Sequence, residues 1–137
     1  METKHYKLEI LSEPKHLSEV EDFIDMLALE AGIDSQRLPG LLLAVTEATT
    51  NAIIHGNKKV PEKKVTIEAD LDEETLTIRL KDQGTGFDPS KIPDPTEPEN
   101  LLKDSGRGLY LMRYHASELK YNITPDGTET ILVISLR

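Results

Sequence analysis

The 137-residue chain contains no cysteine, which excludes disulfides, thiolate zinc sites, iron–sulfur clusters and a cysteine nucleophile. It also lacks any apolar run approaching the ~18 residues that a membrane-spanning helix requires. The opening Met1-Glu2-Thr3-Lys4-His5 is not followed by an apolar segment that would direct export. Positive charge is scarce: 16 Lys and Arg stand against 25 Asp and Glu, a formal net charge of -9. A chain this acidic has no basic footprint with which to neutralise a phosphodiester backbone. Neither nucleic acid nor membrane is an expected partner, and a soluble cytoplasmic protein is expected. No fixed-period repeat or low-complexity tract occurs.

What the chain does contain is enough Leu, Ile, Val and Phe for one core, more than a quarter of its residues, and its length suits a single domain over residues 1–137. Tyr6, Leu8 and Ile10 alternate with polar residues and predict a short first strand. Leu17, Val20, Phe23, Ile24, Leu27, Ala28 and Ala31 recur at helical spacing, with Gly32 as a stop. A second helix is predicted from about Pro39 to His55, with Gly56 just past its end. Val65 to Leu71 and Leu76 to Leu80 alternate around Asp72-Glu73-Glu74 and predict a hairpin with one wet face. Asp88 to Asp104 carries Pro89, Pro93, Pro95 and Pro98 without helical or strand periodicity and is expected to be a lid. Gly108 to about His115 is expected to be a third helix. A closing hairpin runs from Leu119 through Pro125-Asp126-Gly127 to Leu136. This order predicts an α/β (α+β) two-layer sandwich, with three helices on one face of a mixed, mostly antiparallel sheet.

Three segments carry candidate chemistry. On the second helix Glu47, Asn51 and His55 are four residues apart and form a polar stripe on an otherwise apolar helix. An amide oxygen and a carboxylate one turn apart suit a site where Asn51 ligates Mg²⁺ and Glu47 orients or deprotonates an attacking hydroxyl. A solvated helix face is the ordinary alternative. At the end of the first hairpin stands Asp82-Gln83-Gly84-Thr85-Gly86. A carboxylate there can accept a hydrogen bond from the exocyclic amino group of adenine, where guanine would present an oxygen, and Gly84 and Gly86 let backbone approach a flat base. A plain glycine turn is the alternative. Ser105-Gly106-Arg107-Gly108-Leu109 precedes the third helix, so its N–H groups and the helix dipole would face an anion such as phosphate, with Arg107 and Lys103 within reach. Each of these two cations has the alternative of a solvated surface charge.

In this order and spacing, the segments resemble the N, G1 and G2 boxes of the GHKL superfamily of histidine-kinase-like ATPases, whose domain is the Bergerat ATP-binding fold. Glu47-Ala48-Thr49-Thr50-Asn51-Ala52-Ile53-Ile54-His55-Gly56 is similar to the form found in anti-sigma factor serine kinases. The resemblance implies ATP and Mg²⁺ as cofactors, Glu47 as base and Asn51 as metal ligand. It assigns adenine to Asp82, Gly84 and Gly86, and phosphate to Gly106 and Gly108. It further implies a threonine that meets adenine through water: Thr130, or Thr128 if the register differs.

A sensor histidine kinase would place a phosphoacceptor helical hairpin before this domain, and gyrase-like relatives a transducer domain after it. The chain's length leads us to expect neither. The expected function is therefore an anti-sigma factor that is also a serine protein kinase. It would phosphorylate a STAS-type anti-sigma antagonist and regulate a sigma factor by partner switching, as a homodimer in which the first strand lies at or near the contact. A non-catalytic ATP-gated adaptor and a detached histidine-kinase catalytic domain are the alternatives.

Overall fold

The computed structural model describes residues 2–84 and 116–136. The expected lid and third helix lie outside the described residues, as do Gly86, Lys103, Ser105, Gly106, Arg107, Gly108 and Leu109. The chain runs through β1 (Lys4–Leu11), a 3-10 turn (Pro14–His16), α1 (Leu17–Ala31), α2 (Leu38–Asn51) and a π-helical turn (Ala52–Gly56). It continues as β2 (Lys64–Leu71), β3 (Thr75–Lys81), β4 (Glu118–Thr124) and β5 (Gly127–Ser135). The strands form one sheet in the order β1-β2-β3-β5-β4. Each pairing among the described residues is antiparallel, in keeping with the mostly antiparallel sheet expected, and no parallel pair of a mixed sheet occurs among them. The two-helix connection between β1 and β2 returns the chain in the opposite direction, so no parallel crossover is needed there. Two of the three expected helices stand among the described residues as α1 and α2.

Alternation creates the two faces of the sheet. In β2 and β3 every second residue is buried: Val65, Ile67, Ala69 and Leu71, then Leu76, Ile78 and Leu80. On β5, Thr128, Thr130, Leu132 and Ile134 share that face. The helices cover it with Val20, Ile24 and Leu27 from α1 and Leu41, Ala44, Val45 and Ala48 from α2, making one core cluster. The opposite face is polar. There Arg79 pairs with both Asp70 and Glu68, and His5 also bonds Asp70. The guanidinium of Arg79 is the main reason the Asp70 carboxyl lies below its ordinary range.

The helix ends differ in kind. Gly32 terminates α1 in the left-handed region, φ 69°, with its N–H reaching back to Ala28 and Leu29, as a C-terminal glycine stop does. The second helix departs from expectation, because α2 ends at Asn51 and the chain then widens into a π turn that contains Gly56 instead of stopping before it. The Asn57 N–H closes that turn on the Ala52 carbonyl at 2.8 Å.

Truncating the centre of this core is expected to be costly while truncating its exposed rim is not. Ile78→Ala, on the central strand, should lower the unfolding free energy by ~2–5 kcal/mol with an unchanged denaturant slope. Leu29→Ala, at a side chain 83% exposed, should change it by no more than ~0.5 kcal/mol. Chemical denaturation followed by circular dichroism measures both, and equal losses would contradict this placement of the core.

Candidate functional site

Where β3 runs out, the chain delivers Asp82 to the buried side of the sheet, 1% exposed. Its backbone N–H extends the ladder by donating to the Thr128 carbonyl at 3.1 Å. Its carboxylate is anchored on one side only. Oδ1 accepts from the backbone N–H groups of Gly84 and Thr128, each at 3.0 Å. Oδ2 is buried and has no hydrogen-bond partner among the described residues. Burial pushes the Asp82 carboxyl above its ordinary pKa, against the opposing pull of the two N–H donors and the Lys63 charge.

Three glycines from separate segments close around this group because no side chain would fit. A Cβ on Gly56 would come inside 3.0 Å of the Asp82 side chain, and one on Gly84 inside 3.0 Å of the Gly56 carbonyl. A Cβ on Gly127, whose φ of 149° already disfavours other residues, would collide with the Asp82 carbonyl. Strand end, π turn and β4–β5 turn therefore meet at bare backbone.

Of the candidate residues within the described segments, Asp82 and Gly84 are joined directly by a hydrogen bond. Thr130 is buried opposite Leu80 in the β3–β5 register, and Thr128 lies nearer still, bonded to Asp82 through its backbone. Asn51 is the last residue of α2, 5% exposed, and its Nδ2 is buried with no hydrogen-bond partner among the described residues. The neighbouring hydroxyls are already engaged, Thr49 with the Val45 carbonyl and Thr50 with that of Thr46. Asn51 and Glu47 thus lie on the helix whose continuation, at Gly56, touches Asp82. Glu47 is half-buried one turn earlier. His55, beside Gly56, is kept towards its neutral form by burial and then by the Lys58 charge. Sequence reasoning missed Asn57, which is fully buried, and the close approaches of Gly56 and Gly127. The only signals were an amide after a helix stop and glycines at turns, both common.

The Asp82 end of the site fits an adenine base. An acceptor oxygen with no donor among the described residues is what an exocyclic amine would satisfy, and a buried group left unmatched costs ~1–3 kcal/mol. Among the described residues no cluster of three His, Cys, Asp or Glu could hold a cation.

Residues 10–134 match the model of the histidine kinase-like ATPase domain. The chain belongs to that family. Within it, the chain is 35% identical over 125 residues to the anti-sigma F factor of Shouchella clausii, covering 85% of this chain and 84% of that protein. It is 28% identical over 131 residues to the serine-protein kinase RsbW of Listeria innocua, covering 88% and 82% respectively. These similarities put this histidine kinase-like ATPase among the anti-sigma factor kinases of the GHKL superfamily. The fold likewise resembles the crystal structure of the RsbU and RsbW domains of a Mycobacterium tuberculosis protein. The TM-score there is 0.69 at 16% identity, over 96% of this chain and 32% of that one.

The raised pKa of Asp82 fixes the sign of a pH effect. The folded state binds this proton more tightly than the unfolded chain does, so the stability from Asp82 is greatest in acid and is lost as pH rises through the raised folded value. Asp82→Asn keeps an oxygen for Gly84 and Thr128 and cannot ionise. Its stability relative to the wild type is expected to rise from pH 4 to pH 8 in thermal melts without nucleotide, and a flat difference would contradict the buried carboxylate.

Proposed function

We propose that this chain is an ATP-dependent anti-sigma factor and serine protein kinase, acting in the cytoplasm, that phosphorylates a STAS-type anti-sigma antagonist and controls a sigma factor by partner switching. The observation that carries the reading is the half-anchored Asp82 carboxylate: Oδ1 is tied to two backbone N–H groups and Oδ2 has no donor among the described residues, at a strand end lined by glycine. The similarity to an anti-sigma F factor supports the choice of partners.

In this reading Oδ2 accepts from the exocyclic amine of adenine, and a guanine would set its carbonyl oxygen against the carboxylate. Gly84, Gly56 and Gly127 leave backbone bare around it. Thr130, or Thr128 in the register nearer Asp82, meets the base. Asn51 would hold Mg²⁺ through its amide oxygen, and the ion would supply charge neutralisation to the phosphates. Gly106 and Gly108, with Ser105, Arg107, Leu109 and Lys103, hold the triphosphate. Glu47 takes the proton of the substrate serine as its oxygen bonds the γ-phosphorus and the bridging oxygen leaves with ADP. Bound ATP and ADP can redirect partner choice only through a difference in what each contributes to the two complexes.

Isothermal calorimetry should find ATP and ADP bound and GTP at least tenfold weaker; equal affinity for GTP would remove the adenine assignment. A separate measurement isolates the chemistry. With a STAS-domain antagonist as substrate, Glu47→Ala should lower phosphoserine formation ~10²–10⁴-fold, read by mass spectrometry, while ATP affinity stays within about tenfold. Undiminished transfer would take the base role from Glu47, and no transfer by the wild type would favour a nucleotide-gated adaptor.

A further inference from the structure

Asn57 belongs to none of the motifs that brought the site to light, yet it is wholly excluded from solvent. Its amide is fully matched. Nδ2 donates to Ser12 Oγ at 2.6 Å and to the Lys64 carbonyl at 3.0 Å, and Oδ1 accepts from the Gln83 backbone N–H at 2.6 Å. The orientation is fixed by chemistry, since a carbonyl can only accept and a backbone N–H can only donate. Ser12 is committed as well: its hydroxyl donates to the Lys63 carbonyl at 2.7 Å and so faces Asn57 with a lone pair. The backbone of Asn57 is equally engaged, its N–H closing the π turn on Ala52 and its carbonyl accepting from Val60 at 3.0 Å.

One side chain therefore ties together the end of β1, the start of β2, the π turn and the segment after β3. Its position relative to Asp82 gives this consequence. Gln83, which it holds, lies between Asp82 and Gly84; Gly56, its neighbour in sequence, packs bare backbone against both. The Asn57–Gln83 hydrogen bond thus spans the two segments whose contact determines where Oδ2 points. Gln83 reinforces the link, because its own Oε1 accepts from the Lys64 N–H at 2.6 Å.

We infer that Asn57 is a positioning residue for base selectivity: it clamps the Asp82–Gly84 segment to the π turn so that Oδ2 meets the amine of adenine at the distance that rejects guanine. The inference rests on the adenine reading of the site. A clamp of this kind acts on discrimination, because a carboxylate free to shift can relieve its repulsion with a guanine carbonyl.

Asn57→Asp tests it with nearly unchanged shape. The carboxylate would set an acceptor against the Lys64 carbonyl, where the amide had a donor. The measured quantity is the ratio of ATP to GTP affinity by calorimetry in Mg²⁺, on protein shown to be folded by circular dichroism. The ratio should fall at least tenfold, while the core variant Ile24→Val, which also lowers the melting temperature, should keep the wild-type ratio. Should Asn57→Asp fail to fold, Ser12→Ala removes the acceptor of one Nδ2 hydrogen, and a two- to fivefold fall is expected. A wild-type protein that does not discriminate ATP from GTP overturns the adenine reading and this inference together. A wild type that discriminates, with a variant that keeps its ratio, overturns the inference alone and leaves Asn57 a purely structural residue.

Discussion

Burying a carboxylate at the end of a strand is costly unless its oxygens find donors, and most of the local architecture around Asp82 follows from that requirement. Two backbone N–H groups, from Gly84 and Thr128, meet one oxygen. They can do so only where backbone comes close, and the closeness demands glycine at positions 56, 84 and 127. The same geometry leaves the second oxygen without a donor among the described residues. Both follow from one arrangement: the more firmly Oδ1 is held, the less Oδ2 can turn towards another donor.

The π turn after α2 is the other half of this arrangement. A regular helix carried through to His55 would keep the tighter α-helical turn, whereas the widened turn lets Gly56 lie against Asp82 and Gly84. The chain emerging from it adopts an uncommon conformation, with Lys58 and Lys59 both left-handed at φ 54° and 60°. Such backbone costs ~1–3 kcal/mol per residue and persists only where its surroundings hold it. The hydrogen bonds of Lys59 N–H to Ile53 and of Val60 N–H to Asn57 do so here. The two exposed lysines sit at an abrupt exit that glycine would adopt more easily.

The sheet supplies the rigid frame. β3 lies at its centre between β2 and β5, so Asp82 emerges from the best-supported strand and meets Thr128 across the β3–β5 ladder. A site on a central strand end and a buried helix end inherits the precision of both, in a way that a site built on loops would not. The polar outer face, with its Arg79–Asp70–Glu68 network, leaves the inner face free to be apolar up to the threonines of β5.

How much of this was legible beforehand follows from the range of each signal. Alternation in β2 and β3, helical spacing in α1 and the hairpin turn at Asp72-Glu73-Glu74 were readable because burial on one face leaves a periodic mark on neighbouring residues. The stripe of Glu47 and Asn51, and Asp82 with Gly84, were readable because their chemistry is concentrated in short segments. Gly56 read as a helix stop and Gly127 as a turn residue, since a glycine's sequence context does not say which distant backbone will press against it. Asn57 carried only the common signal of an amide after a glycine, because its three partners, Ser12, Lys64 and Gln83, come from separate parts of the chain. The sequence by itself determined the described strands, α1 and the body of α2, the two-layer class and the chemical groups available. Only the tertiary structure decided how the helix end and the strand end meet, because that contact depends on close approach between segments far apart in the chain, which no local pattern records.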